Sequence, residues 1–201
     1  DRAMKTIRTI SVIVIFLIIP LFSAAGRDYP LLRPDRAEKE AWIESYRNAP
    51  RASIDPSLKP KKGSLSLLSS LQYTPAERDQ GNCGNCWAWA GSGCLAIALQ
   101  RQESIKDRLS IQYINSCQSS VIGKSCCEGG WLYDVVNFYS SVGAAVPWSN
   151  TNAYWQDDDG SCNTACGSVS TSPNYPISSI NYTAITTHGV GQTTAVSNIK
   201  N

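Results

Sequence analysis

A cysteine and a glutamine six positions apart are the residues of this chain best suited by type and spacing to chemistry. They open and nearly close the segment Gln80-Gly-Asn-Cys-Gly-Asn-Cys-Trp87. Apolar residues follow at three- and four-residue steps and predict an amphipathic helix with Cys86 in its first turn: Trp87, Ala90, Cys94, Ile97 and Ala98. The free N–H groups and dipole of a helix N-terminus favour negative charge, so Cys86 is the candidate thiolate nucleophile. The Gln80 amide and the Cys86 backbone N–H could donate to the oxyanion of a tetrahedral intermediate.

Three ordered segments give the chain its resemblance to a known family. The segments are Gln80 to Trp87, Leu109-Ser-Ile-Gln-Tyr-Ile-Asn-Ser-Cys117 and Cys127-Glu-Gly-Gly-Trp-Leu132. The first is similar to the active-site segment of papain-like cysteine proteases. The resemblance implies an α+β fold of two lobes, in which a helical lobe carries the cysteine and a β-rich lobe carries a histidine and an asparagine.

The resemblance also implies a substrate-binding segment. Gly129 and Gly130 would offer their backbone to an extended peptide, and Trp131 and Leu132 would help to wall the main specificity pocket. Only glycine allows a substrate backbone to come so close. The chain departs from the family at Asn85, where Ser or Ala is usual.

The general base is expected outside this sequence. His188, the single histidine, lies 102 residues after Cys86, whereas the family places its histidine about 130 to 150 residues downstream. His188 also falls in a polar turn after the strand-like residues Ile180 to Ile185, so it is not expected to be the base. We therefore predict a peptidase domain over residues 64–201 that is incomplete at its C-terminus, with the helical lobe present and the β-rich lobe only partly present.

Residues 1–25 predict a secretory signal peptide. Met4 opens a charged region, after residues 1–3, and a 13-residue apolar run from Ile10 to Phe22 precedes the small residues of 23–26. The run is shorter than the roughly 20 residues that span a bilayer. We predict cleavage near Ala25, a secreted or extracytoplasmic protein, and membrane contact only through this segment. An uncleaved anchor is the alternative.

Residues 26–63 indicate a pro-region or N-terminal extension. A helix is predicted from Asp35 to Asn48, because Asp35 and Glu38 can form a capping box and Pro50 blocks continuation. Such a segment could inhibit the enzyme in cis until it is cut near residues 59–63. A solvated extension without inhibitory function is the alternative.

Eight cysteines in an exported protein predict disulfides. If Cys86 is the nucleophile, seven remain, so at least one more is unpaired. The family resemblance implies a Cys83–Cys127 bond and pairs Cys117 with Cys162 or Cys166.

Two further cysteines are treated separately. Cys94 falls on the apolar side of the predicted helix and is expected to be a buried thiol, and Cys126 stays unassigned. Two more helices are predicted, one capped by Ser110 and reaching about Cys117, the other within residues 130–142 with Leu132 among its inward residues and a stop at Gly143.

The predicted function is a secreted cysteine peptidase that hydrolyses peptides or proteins through a thioester and requires no metal or organic cofactor. A catalytically inactive papain-like module that binds peptides or a partner is the alternative. Zinc or redox use of Cys83 and Cys86 is a weaker one. A net charge of +2 argues against nucleic-acid partners. The segment Asp157-Asp-Asp-Gly160 does not match the template of a calcium-binding loop. We predict a solvated acidic turn there.

Overall fold

The computed structural model describes residues 35–52, 66–73 and 79–200. The predicted signal peptide and cleavage region lie outside the described residues. The helices are α1 (Arg36–Asn48), α2 (Cys86–Glu103), α3 (Ile111–Ile122), α4 (Leu132–Val142) and α5 (Gln192–Lys200), and the strands are β1 (Ala144–Ala145) and β2 (Tyr175–Pro176). Within the described ranges no helix combines the length and apolar character needed to cross a membrane.

Helix α1 begins with the predicted capping box. Asp35 Oδ1 accepts a hydrogen bond from the Glu38 amide at 2.8 Å, and Glu38 Oε2 accepts one from the Asp35 amide at 2.9 Å. The helix ends at Asn48, before Pro50, as predicted. None of its residues is buried, so α1 lies on the surface of the molecule.

Helices α2, α3 and α4 pack against one another and form the core of the helical lobe. Gly91 of α2 faces Val135 of α4 so closely that a Cβ on Gly91 would lie 2.4 Å from a Val135 methyl group. Small residues on α2 therefore let the two helices approach closely.

The predicted buried side of α2 is correct at Trp87, which is buried in the core, but wrong at two other residues. Ala90 and Cys94 are exposed, while Ala88, Ser92 and Ala96 are buried. The helix carries apolar or small residues on every side, so the spacing of its apolar residues does not mark the side that is buried. The expectation of a buried Cys94 thiol is corrected accordingly.

Helix α3 begins at the predicted cap and runs further than predicted. The Ser110 hydroxyl accepts from the Tyr113 amide at 2.9 Å and donates to the Ala153 carbonyl at 2.6 Å. The helix continues past Cys117 to Ile122 and ends at Gly123, whose φ of +73° suits glycine.

Helix α4 ends at Gly143 with a φ of +68°, as predicted. The expectation that Leu132 points inward is wrong, because Leu132 is 53% exposed. Phe138 and Tyr139 supply the fully buried aromatic side chains of this helix instead. Leu132 is the first residue of α4 and projects beyond the helix packing that buries its later turns.

The described β structure is small. Strands β1 and β2 are antiparallel, with Ala144 opposite Pro176 and Ala145 opposite Tyr175. The strand predicted at residues 180–185 is reduced to a single bridge in which Ala184 pairs with Arg51. The described chain thus has the predicted α+β character, with a helical lobe and a minor β component.

Three disulfides join residues of the lobe, and they are Cys83–Cys127, Cys117–Cys166 and Cys126–Cys162. The first is the pair implied by the family resemblance. The structure pairs Cys117 with Cys166, and Cys162 bonds to Cys126, which the sequence left unassigned. Cys86 and Cys94 are free and exposed.

Candidate active site

Cys86 lies where the sequence predicted, as the first residue of α2. Its thiol is exposed and unbonded to another cysteine. The preceding residue, Asn85, is fully buried and its side chain does not cap the helix. The N-terminal end of α2 is therefore open toward Cys86 rather than closed by an amide side chain.

A covalent bond ties the nucleophile loop to the glycine segment, which we define as residues 127–131. The Cys83–Cys127 disulfide brings their Cα atoms within 4.6 Å of each other. The Gly84 amide donates to the Cys127 carbonyl at 3.1 Å. A Cβ on Gly84 would lie 2.6 Å from that carbonyl oxygen, so a side chain does not fit there.

Trp87 fixes the same segment from the helix side. Its Nε1 donates to the Glu128 carbonyl at 3.1 Å. A Cβ on Gly130 would lie 2.7 Å from the Trp87 ring. The backbone of Gly129 and Gly130 therefore lies against the first turn of α2, beside Cys86.

Two charged side chains hold the backbone on either side of Gly130. Lys124 Nζ donates to the Gly129 carbonyl at 3.0 Å, and Asp134 Oδ2 accepts from the Trp131 amide at 2.8 Å. The two charges lie 3.9 Å apart. Burial raises the pKa of the Asp134 carboxyl above its ordinary value, and the Trp131 N–H and the Lys124 charge oppose this shift. The sequence did not predict a role for either residue, because no local pattern indicates that a lysine in the loop after α3 and an aspartate in α4 will meet.

The loop that carries Gln80 is anchored to the turn of residues 157–160. Gln80 is half-buried, and its carbonyl accepts from the Cys83 amide at 3.4 Å. The Asn82 amide donates to the Asp158 carbonyl at 2.6 Å. Gly81 has a φ of +61° and packs so tightly on Asp158 that a Cβ would overlap its carbonyl. A turn of residues 157–160 thus sets the position of Gln80.

That acidic turn is exposed at Asp158 and Asp159, as predicted, but the prediction is wrong for Asp157, which is only 1% exposed. Asp157 Oδ2 accepts from Gln112 Nε2 at 2.6 Å and from Asn115 Nδ2 at 2.7 Å. These amides of α3 replace water at Oδ2 of the carboxylate. Asp157 therefore connects α3 to the loop that carries Gln80.

Comparison with known proteins decides the family. Residues 70–196 match the family model described as papain family cysteine protease. The chain belongs to the papain family.

Several known proteins are similar to this chain over part of their length. Cathepsin L 2 of Paramecium tetraurelia is 31% identical over 91 residues, which cover 45% of this chain and 28% of that protein. Digestive cysteine proteinase 3 of Homarus americanus is 27% identical over 137 residues, 66% of this chain and 40% of that protein. The structure of digestive procathepsin L 3 from Tenebrio molitor larval midgut aligns with a TM-score of 0.43 at 24% identity, covering 67% of this chain and 43% of that one. The chain spans less than half the length of each.

His188 lines a cavity that Cys86 does not line. It is exposed in a turn, as predicted, and lines a cavity of about 960 Å³ together with Trp131, Leu132 and residues of α1. Cys86 is not among the residues that line this cavity.

The zinc and redox alternatives for Cys83 and Cys86 are not supported. Cys83 is bonded to Cys127, so the two residues do not form a dithiol. Cys126, Cys127 and Cys162 bring three sulfur atoms within 4.8 Å of one another, but each sulfur is part of a disulfide. A cysteine binds a metal ion as a thiolate, so these disulfide-bonded sulfur atoms do not form a metal site.

Proposed function

We propose that this chain is part of a cysteine peptidase that hydrolyses peptide bonds through a thioester on Cys86. The observation that carries the proposal is the exposed Cys86 thiol at the start of α2, with Gly129 and Gly130 tethered beside it. An extended peptide that pairs with the glycine backbone would place a scissile carbonyl near this sulfur.

The covalent steps follow from this placement. Cys86 Sγ attacks the carbonyl carbon, and the Cys86 amide with the Gln80 side chain stabilises the oxyanion. Collapse of the intermediate breaks the C–N bond and releases the amine, which takes a proton from an imidazole general acid. Water then hydrolyses the thioester and regenerates the thiol. We assign the imidazole to the region that this family places about 130 to 150 residues after the cysteine, not to His188.

The proposed substrate is a peptide with an apolar side chain next to the glycine segment. Trp131 and Leu132 are 41% and 53% exposed, although both are large and apolar. Exposed apolar side chains beside a backbone-binding segment favour a pocket for an apolar or aromatic residue of the substrate.

We further propose that residues 26–63 are a pro-region and that its helix α1 covers this pocket. Trp42 of α1 meets Trp131 edge to face, with ring centroids 4.5 Å apart. The chain after α1 adds two backbone hydrogen bonds, from the Ala184 amide to the Pro50 carbonyl at 2.8 Å and from the Ala52 amide to the Ala184 carbonyl at 3.2 Å. Since α1 buries none of its own residues, the cover is releasable once the segment is cut.

Export is proposed on two grounds. Three disulfides fit an oxidising compartment, and residues 1–25 have the layout of a signal peptide. The natural protein is therefore expected outside the cytoplasm, either secreted or in an extracytoplasmic compartment.

The proposal is tested by substitution of the nucleophile in the full natural protein, with hydrolysis of a fluorogenic peptide as the readout. Cys86→Ala should abolish turnover, whereas Cys94→Ala, which removes the other exposed free thiol, should leave it unchanged. Activity that survives Cys86→Ala removes Cys86 as the nucleophile. A natural protein that binds the peptide without cleaving it would instead be the inactive binding module.

A further inference from the structure

Two disulfides of the lobe lie in contact with each other. The Cys127 sulfur lies 3.7 Å from the Cys162 sulfur and 3.8 Å from the Cys126 sulfur. These atoms belong to different bonds, Cys126–Cys162 and Cys83–Cys127. A thiolate released from one bond would therefore already lie against the other, which is the approach that thiol–disulfide exchange requires.

Exposure gives this cluster an entry point. Cys162 is exposed, whereas Cys126 and Cys127 are half-buried and Cys83 is fully buried. An external thiol thus has easier access to the Cys126–Cys162 bond, through Cys162, than to the Cys83–Cys127 bond, because Cys83 is fully buried.

Asn115 is placed to assist the departing sulfur. Its Nδ2 donates to Cys126 Sγ at 3.1 Å. The orientation of the amide is set, because Nδ2 also donates to Asp157 Oδ2 and Oδ1 accepts from the Cys127 amide at 2.9 Å. A hydrogen-bond donor on sulfur stabilises the thiolate that leaves when Cys162 is attacked.

The backbone conformation independently marks the two cysteines that would be joined. Cys127 has a φ of +58° and Cys162 a φ of +56°, in the left-handed region that residues with a Cβ rarely adopt. Such strained residues persist only where surrounding structure holds them, and they concentrate at functional and switching sites.

We propose that the cluster is a thiol-exchange site, at which a low-molecular-weight thiol converts the Cys83–Cys127 bond into a Cys127–Cys162 bond. One external thiolate attacks Cys162 Sγ and expels Cys126 as a thiolate. A second external thiol takes the mixed-disulfide sulfur and releases the Cys162 thiolate. That thiolate attacks Cys127 Sγ and expels Cys83. Two external thiols are oxidised to one disulfide, and the protein gains two thiols, Cys83 and Cys126.

The entropy of loop closure does not disfavour the Cys127–Cys162 bond relative to the Cys83–Cys127 bond. The Cys83–Cys127 bond closes a separation of 44 residues and a Cys127–Cys162 bond would close one of 35. The closure probability scales as roughly the −3/2 power of length, so the two loops differ by only about 1.4-fold. The Cys126 thiolate is equally near Cys127, but adjacent cysteines can bond only through a strained eight-membered ring.

The consequence for catalysis rests on the proposed function. Loss of the Cys83–Cys127 bond removes the covalent tether between the nucleophile loop and the glycine segment. Exchange would thus loosen the substrate-binding backbone under reducing conditions, while the Cys117–Cys166 bond still holds the core of the lobe.

The test maps disulfides and needs no peptidase activity, so its outcome is independent of the proposed function. A Cys86→Ser/Cys94→Ser background removes the two cysteines that are free in the untreated protein. This protein is treated with limiting glutathione, quenched in acid, alkylated and mapped by mass spectrometry. Labels on Cys83 and Cys126 together with a Cys127–Cys162 bond are expected. Labels on Cys126 and Cys162 with Cys83–Cys127 intact, or first reduction at Cys117–Cys166, overturn the proposal.

A matched pair of variants in the same background checks the exchange step alone. Cys126→Ser leaves Cys162 as the only free thiol, and we expect the label to be shared between Cys162 and Cys83. Cys162→Ser leaves Cys126 at nearly the same distance from Cys127, and the label should stay on Cys126. Label confined to Cys162 in the first variant overturns the proposal. The glutathione experiment remains decisive if either variant fails to fold, since it keeps all three disulfides.

Discussion

The indole of Trp87 is hydrogen-bonded to the glycine segment, since its Nε1 donates to the Glu128 carbonyl at 3.1 Å. Trp87 directly follows Cys86, and Glu128 directly precedes the glycine pair. One side chain thus couples the position of the nucleophile to that of the backbone that would hold a peptide. The packing of Gly130 on the same ring makes this coupling sensitive to a single methyl group.

Gly130→Ala should disturb this contact. Its Cβ would lie 2.7 Å from the Trp87 ring and 2.9 Å from Asp134 Oδ2, so the segment has to shift. We expect a loss of about 1–3 kcal/mol of unfolding free energy in urea, the usual cost of overpacking. Gly191→Ala is the control, because a Cβ there has no neighbour within 4 Å. Equal stability of the two variants would contradict the packing described here.

Asp157→Ala should destabilise the lobe although it lies in a loop. The change leaves the Gln112 and Asn115 amides without their buried acceptor, at an expected cost of about 2–4 kcal/mol. Asp158→Ala is the matched control, because Asp158 is exposed and its contact with the Asn82 amide is made by the backbone carbonyl, which the substitution keeps. Urea unfolding measures both. A fully solvated acidic turn would give two small and similar losses.

The pH dependence of stability should carry a contribution from Asp134. Its pKa is raised in the folded protein, mainly by burial, so the folded state holds the proton more tightly than the unfolded chain does. This contribution is fully present below the unfolded pKa and is lost as pH rises through the folded value. Asp134→Asn should therefore remove a fall in unfolding free energy that begins as pH rises above the ordinary pKa of an aspartate.

Asp159 supplies a control of opposite sign for that titration. The Ser161 side chain and backbone amide lower the pKa of Asp159, so its contribution is present above the unfolded pKa and is lost as pH falls. Asp159→Asn should therefore remove a rise in stability with pH. The same change in slope for both variants would show that Asp134 does not titrate as described.

Weaker attachment of α1 should expose the backbone amide of Ala184 to hydrogen exchange. The Ala184 amide donates to the Pro50 carbonyl, and α1 is held nearby through Trp42 on Trp131. In Trp42→Ala we expect hydrogen exchange at Ala184 to rise several-fold, because local opening needs fewer broken contacts. Glu44→Ala, on the same helix but outside the cavity lining, should leave the exchange rate unchanged. Unchanged exchange in Trp42→Ala would mean that this contact does not hold the segment.

Local sequence patterns were sufficient for the parts of the site that depend on neighbouring residues. The start of α2 at Cys86, the capping box of α1, the Ser110 cap and the glycine stop after α4 each involve residues within a few positions of one another. Helix termini are stabilised by such short-range contacts, so their signals survive in the linear chain.

Tertiary packing decided the rest. The exposure of Cys94, the bonding of Cys126 to Cys162, the burial of Asp157 and the cover of Trp131 by α1 all depend on contacts between segments distant in sequence. An apolar helix such as α2 can turn any of several sides inward, and a carboxylate is buried only where distant donors converge on it. Which segments meet is set by the free energy of the whole packed lobe, and no local spacing records that outcome.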